Sequence, residues 1–218
     1  MIPYLPPMRG YDLILSLGTT CQTAYQIERK GLRKCAGPLD WFISPLSGTI
    51  KLLEDNFADF MKKENLEIID TYENKNFVVK DTLYNVISYH DFPLSNESGI
   101  KTSDYEIFKN RLIIKINNFY AQLEIARSIL FVMNGGEVDL DAYIHLSTLI
   151  GAIRKNMPFH MLICGYMLPG NLNSRPIEDI TFYKFKKIKR FDNPADQWKG
   201  NDEEWDKCLN GVKFAHEL

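Results

Sequence analysis

Apolar residues fall along this chain in two rhythms. Short, mainly apolar runs occupy 12–17, 128–132 and 159–165, and each stops at or near a glycine. Runs of this length predict strands buried on both faces. Other stretches space their apolar residues three and four apart. In 46–61 these are positions 46, 50, 53, 57 and 60; in 104–126 they are 105, 108, 112, 116, 119, 120 and 123. That spacing marks one face of a helix. Helices are also expected over 21–30, 139–156 and 200–212, the first with Thr19 or Thr20 as N-cap and Gly31 as its stop. Shorter strand candidates stand at 66–70, 76–79, 84–89 and 180–188.

Strands alternating with helices of a dozen residues or more predict an α/β fold with a covered sheet. The expectation is a single domain over 1–218: three α/β/α layers, a mainly parallel or mixed central sheet, and a local β insertion around 66–92. Residues 1–10, rich in proline, read as an extended lead-in. No repeat, low-complexity segment or linker divides the chain.

Composition narrows the function classes. With 218 residues, 25% of them charged, and a net charge of −2, the chain is neither disordered nor the basic protein that nucleic-acid binding favours. No apolar run approaches the roughly 18–20 residues of a membrane span, and the N-terminus lacks the pattern of a secretory signal. A cytoplasmic protein is expected. Cys21, Cys35, Cys164 and Cys208 stand far apart, with no C-x-x-C pair. They are expected to be four reduced thiols, with neither a zinc site nor a disulfide framework.

The strongest chemical candidate is Gly18-Thr19-Thr20-Cys21, where a strand turns into a helix. Ligands of α/β sheets bind beyond the carboxyl ends of strands. A helix N-terminus lowers a thiol's pKa, and its free N–H groups, here around Thr20 and Gln22, can hold an oxyanion. The plainer reading of Cys21 is a small buried thiol.

A nucleophilic thiol needs a base. Of the four histidines, His145 lies mid-helix, His160 precedes an apolar strand, and His216 is near the C-terminus; His90 ends a strand before Asp91-Phe92-Pro93. His90 is therefore the base candidate. Asp40, in Gly37-Pro38-Leu39-Asp40-Trp41, is the preferred acceptor for its second ring nitrogen, because strand alternation points Asp91 away. Glu137 and Asp139 are reserves. Trp41, Asp91, Arg111 and Asn134 are candidates for contacting substrate. Arg33, Arg111 and the basic run 184–190 are candidates for an anionic group, although the run also suits a solvated edge. Trp198 and Trp205 fit the core or a cleft, the core being preferred.

Several segments together resemble a known family. They are Ser16-Leu17-Gly18-Thr19-Thr20-Cys21-Gln22-Thr23-Ala24-Tyr25, Gly31-Leu32-Arg33, Gly37-Pro38-Leu39-Asp40-Trp41, His90-Asp91-Phe92-Pro93, Ile129-Leu130-Phe131-Val132 and Trp198-x-Gly200-x-Asp202-x-x-Trp205. The family is a bacterial one of unknown function labelled papain-like cysteine peptidases, and the resemblance runs from 11 to about 206. It implies a Cys–His site at Cys21 and His90, with Asp40 as third member. Two positions depart from the family pattern: Leu39 replaces a Phe, and Met133 an Arg. A looser resemblance is to cysteine-dependent acyltransferases of polysaccharide biosynthesis, which implies coenzyme A as acyl donor. The expected function is cysteine-dependent hydrolysis or acyl transfer on a small-molecule or peptide acyl substrate, through a thioester and without a required cofactor. The alternative is a non-catalytic module that binds an anion at the helix N-terminus.

Overall fold

Four apolar strands with no polar face must be covered on both sides. In the structure, a computed structural model describing residues 10–95, 99–135, 139–155, 157–168, 180–186 and 194–215, they are. β1 (Leu13–Ser16), β6 (Ile129–Asn134), β7 (Phe159–Gly165) and β8 (Ile180–Lys184) form a parallel sheet in that order. Alternate side chains enter two different cores. Ile14, Leu130, Val132, Leu162 and Tyr183 pack with Ile27 of α1 (Cys21–Arg29) and Trp205 of α5 (Asp202–Cys208). Leu13, Leu15, Phe131, Met161, Ile163 and Phe182 point the other way. There they meet Phe108 and Leu112 of α3 (Thr102–Ile125) and Leu146 and Ile150 of α4 (Leu140–Ile153). The expected α/β architecture, with a parallel sheet between helices, is the one observed.

The stretch expected as a local insertion is a second sheet. β2 (Phe42–Ile43), β5 (Val86–Pro93), β4 (Asn76–Asp81) and β3 (Leu66–Tyr72) form an antiparallel sheet in that order. Its Phe42, Val79, Val86 and Phe92 join the larger core. The two-residue strand β2 is too short to leave a periodic signal, so the region 35–45 reads as loop in the sequence. The helix expected over 46–61 stops early. α2 is Leu46–Glu54, and the chain then turns through left-handed Asn56, Phe57 and Met61. Phe57 and Phe60 still reach the core, which is why the helical spacing outlasts the helix.

One expectation about the thiols is overturned. Cys164 of β7 and Cys208 of α5 are joined as a disulfide, leaving Cys21 and Cys35 free. Forty-four residues of sequence separate the pair, and only packing of α5 on the sheet brings them together. Among the described residues no helix is long and apolar enough to cross a membrane. The lead-in 1–9 lies outside the described residues.

Candidate active site

The site begins where β1 ends. Gly18 has φ +80°, and a Cβ there would lie 2.1 Å from Ser44 Oγ, so only glycine fits. Thr19 follows at φ +74°, a conformation that a β-branched residue adopts only when its surroundings enforce it. Fully buried Ser44 does so: its Oγ accepts from Thr19 N at 3.0 Å, and its own N–H donates to Thr19 O at 3.2 Å. Thr20 is extended and precedes α1, but its side chain makes no capping bond. The hydroxyls of Thr19 and Thr20 are buried without partners. The first-turn N–H groups of α1, at Cys21 and Gln22, are therefore uncapped and have no partner within the helix.

His90 reaches the same place from the other sheet. It lies within β5, where the sequence had placed it at a strand end. Between the pairs Phe77↔Phe92 and Val79↔Ser88, four residue steps on β5 face two on β4. This bulge breaks the alternation. Val86, Ser88 and Phe92 are buried, but His90, which shares their parity, is exposed. Bulges re-aim side chains in this way. The Tyr72 ring stands edge-on to the imidazole, centroids 5.4 Å apart.

Cys21 and His90 line one cavity of about 420 Å³, together with Thr20, Gln22, Ile43, Tyr72, Tyr89, Asn134, Gln197 and Trp198. It sits at the carboxyl edge of the parallel sheet, beside the neighbouring strands β1 and β6. Gln22 ties the lining together. Its Oε1 accepts from Asn134 Nδ2 at 3.0 Å and from Trp205 Nε1 at 3.1 Å, and its Nε2 donates to Trp198 O at 3.2 Å.

The electrostatics differ from expectation. Burial pushes the Cys21 thiol up to about 11; its own backbone N–H pulls it down by less, and the charges of Asp91 and Asp40 raise it further. The resting group is thus a thiol at neutral pH. The shift is opposite to the one expected, because desolvation outweighs the helix N-terminus.

Asp40 makes no hydrogen bond to the imidazole. It is 3% exposed, and its Oδ2 accepts from Arg33 Nη2 at 2.6 Å and from Gly37 N at 2.8 Å. It holds its own loop together through these bonds, where an imidazole partner was expected. Its carboxyl is shifted up by burial, against the pull of Arg33 and Gly37. Asp91 accepts from Ser88 Oγ at 2.6 Å. The His90 ring makes no hydrogen bond among the described residues.

Of the substrate-contact candidates, Asn134 lines the cavity. Trp41 does not, packing instead on Trp198 and beneath Arg33. Arg111 is exposed on α3, away from the lining, and Arg33 is committed to Asp40 and Glu28. Asp139 caps α4 by accepting from Ala142 N. Glu137, His216 and the end of the basic run, 187–190, lie outside the described residues. His145 pairs with Glu54 on the surface, and His160 is buried against Tyr11. Tyr72, Tyr89, Ile43 and Gln197 were not legible as a lining, because they come from four separate segments. The two tryptophans divide: Trp205 is fully buried, and Trp198 lines the cavity at 40% exposure.

An α/β domain with a cysteine at a helix start and a histidine on the same cavity has the makings of a cysteine-dependent enzyme. Residues 12–163 match the family described as "Putative papain-like cysteine peptidase (DUF1796)", and the chain belongs to that family. It is also similar to "Uncharacterized protein R408" of Acanthamoeba polyphaga mimivirus, 24% identical over 225 residues that cover 93% of this chain and 99% of the relative. That relative is viral, so it lends no support to the bacterial origin expected from the resemblance. No solved structure matches the chain.

Proposed function

We propose that the chain is a cysteine-dependent hydrolase of acyl substrates, with Cys21 as nucleophile and His90 as general base. The observation that carries this is the cavity shared by the two side chains, with the uncapped start of α1 at its edge. Because burial keeps Cys21 protonated, the proton must leave as the sulfur attacks. His90 takes it. The acyl oxygen gathers negative charge beside the N–H groups of Cys21 and Gln22. The leaving group then departs with the proton from His90, and water, deprotonated by the same ring, hydrolyses the thioester. Exposure leaves the imidazole free to do both.

Hydrolysis is preferred to transfer from coenzyme A. The described residues lining the cavity include no lysine or arginine to hold a phosphorylated arm, and Asp91 and Asp40 make the field at the thiol negative.

The test is hydrolysis of a panel of p-nitrophenyl esters and of a peptide library by wild type, Cys21→Ser and His90→Ala. Turnover by wild type is expected to fall by roughly 10²-fold or more in both variants. Turnover that survives Cys21→Ser overturns the assignment. So does the absence of turnover in wild type together with Cys21 being alkylated no faster than Cys35, an outcome that favours a binding module.

A further inference from the structure

We propose that Trp198 is the specificity-determining residue of this site, and that the site selects uncharged acyl groups bearing an aromatic or branched apolar side group. The proposal rests on the reading of Cys21 as nucleophile. It draws on a segment outside the 12–163 stretch that matches the family.

Trp198 is delivered to the cavity by a purpose-built clamp. It belongs to the 3-10 turn Pro194–Lys199, more than 170 residues from Cys21 in sequence. Three side chains on one stripe of α1 anchor that segment and the start of α5 that follows it: Gln22 and Gln26 hold the turn, and Arg29 holds α5. Gln22 donates to Trp198 O; Gln26 Nε2 donates to Lys199 O at 2.6 Å and to Asp202 Oδ1 at 2.8 Å. Arg29 pairs with Asp202 at 3.3 Å and Asp206 at 2.5 Å. The helix that presents the thiol therefore also fixes the position of the tryptophan. The Trp198 ring is set edge-on against Tyr25 and Trp41, with centroids 5.1 and 6.5 Å away. Packing from two sides locks the indole while leaving it 40% exposed, as suits a wall that meets a ligand better than a core residue.

The remaining lining matches this wall. Ile43, Tyr72 and Tyr89 supply apolar surface; Gln22, Asn134 and Gln197 supply neutral amides; and the described lining residues include no carboxylate and no fixed cation. An apolar group buried there gains from leaving water, and a charged one finds no counter-ion among the described lining residues. Anions are opposed further by Asp91 and Asp40, whose charges reach Cys21.

Alkylation of Cys21 reads the selectivity without knowledge of the natural substrate. With iodoacetamide, N-benzyl-iodoacetamide or iodoacetate, the sulfur forms a bond to the CH₂ carbon, iodide leaves with the C–I electron pair, and the thiol proton passes to His90 or water. Mass spectrometry of the full-length protein would give the Cys21 rate for each reagent, each divided by its rate with free cysteine at the same pH. The N-benzyl reagent is expected to exceed iodoacetamide by roughly tenfold or more, and iodoacetate to fall below it. Trp198→Ala should cut the benzyl advantage at least about fivefold, and Trp198→Phe should keep most of it. An equal benzyl advantage in wild type and Trp198→Ala, or none in wild type, overturns the proposal while leaving Cys21 as nucleophile. Labelling of Cys21 no faster than Cys35 by any reagent overturns both.

Discussion

Gly200→Ala tests whether the cavity is held together by Gln22. Gly200 has φ +79°, and a Cβ built there lies 2.4 Å from Gln22 Cδ, 2.6 Å from Oε1 and 2.7 Å from Nε2. The substitution has two costs. Placing an L-residue in the left-handed region costs about 1–2 kcal/mol. The second cost arises because the Gln22 amide must move, giving up its bonds to Trp205 Nε1, Asn134 Nδ2 and Trp198 O. The amide lies at the end of a flexible side chain, so the clash itself is cheap and the lost bonds decide the outcome. Trp205 is fully buried, and its stranded N–H alone costs about 1–3 kcal/mol.

Two other glycines isolate the first cost. Gly31 and Gly211 have φ +69° and +81°, and a Cβ at either meets nothing within 4 Å. Gly31→Ala and Gly211→Ala should therefore lose only the backbone amount. Gly200→Ala should be less stable than either by a further ~2–3 kcal/mol, or roughly 5–10 °C in Tm for a chain of this size. Denaturant unfolding followed by tryptophan fluorescence and by far-UV dichroism would measure all three. A Gly200→Ala loss within about 0.5 kcal/mol of the two controls refutes the reasoning, since Gln22 would then have satisfactory alternatives.

Two further outcomes follow from the charges. The alkylation rate of Cys21 should climb with pH toward a midpoint near 11, because burial holds its proton; Asp91→Asn removes a charge that disfavours the thiolate, so the midpoint should move down and the rate at pH 8 rise, and an unchanged or slower rate in stopped-flow alkylation contradicts this. Arg33→Met strands the buried carboxylate of Asp40 and should cost about 3–5 kcal/mol in urea unfolding, while Arg33→Met with Asp40→Leu should recover much of the loss; a double variant no better than the single would show that Arg33 acts through something other than the pair.

What the sequence alone determined are the features written in contiguous residues. Three of the four buried parallel strands show as apolar runs because they have no polar face to interrupt them, and the long helix α3 shows as a stripe. The turn Gly18-Thr19-Thr20-Cys21 is legible because one glycine and one helix start are local events. His90 could be chosen because histidines are few.

Tertiary structure decided the rest, each time through a contact between distant segments. The antiparallel sheet is completed by a two-residue strand that carries no periodicity of its own. The exposure of His90 depends on a bulge, which is a property of pairing between β4 and β5 rather than of either strand. Cys164 and Cys208 looked like separate thiols until α5 packed on β7. The Cys21 thiol looked activated by its helix, yet its pKa is set mainly by burial, and burial is the sum of everything folded around a residue. A sequence states which groups a chain carries and where local geometry turns; which of them lose their water and which meet is decided only when the layers close.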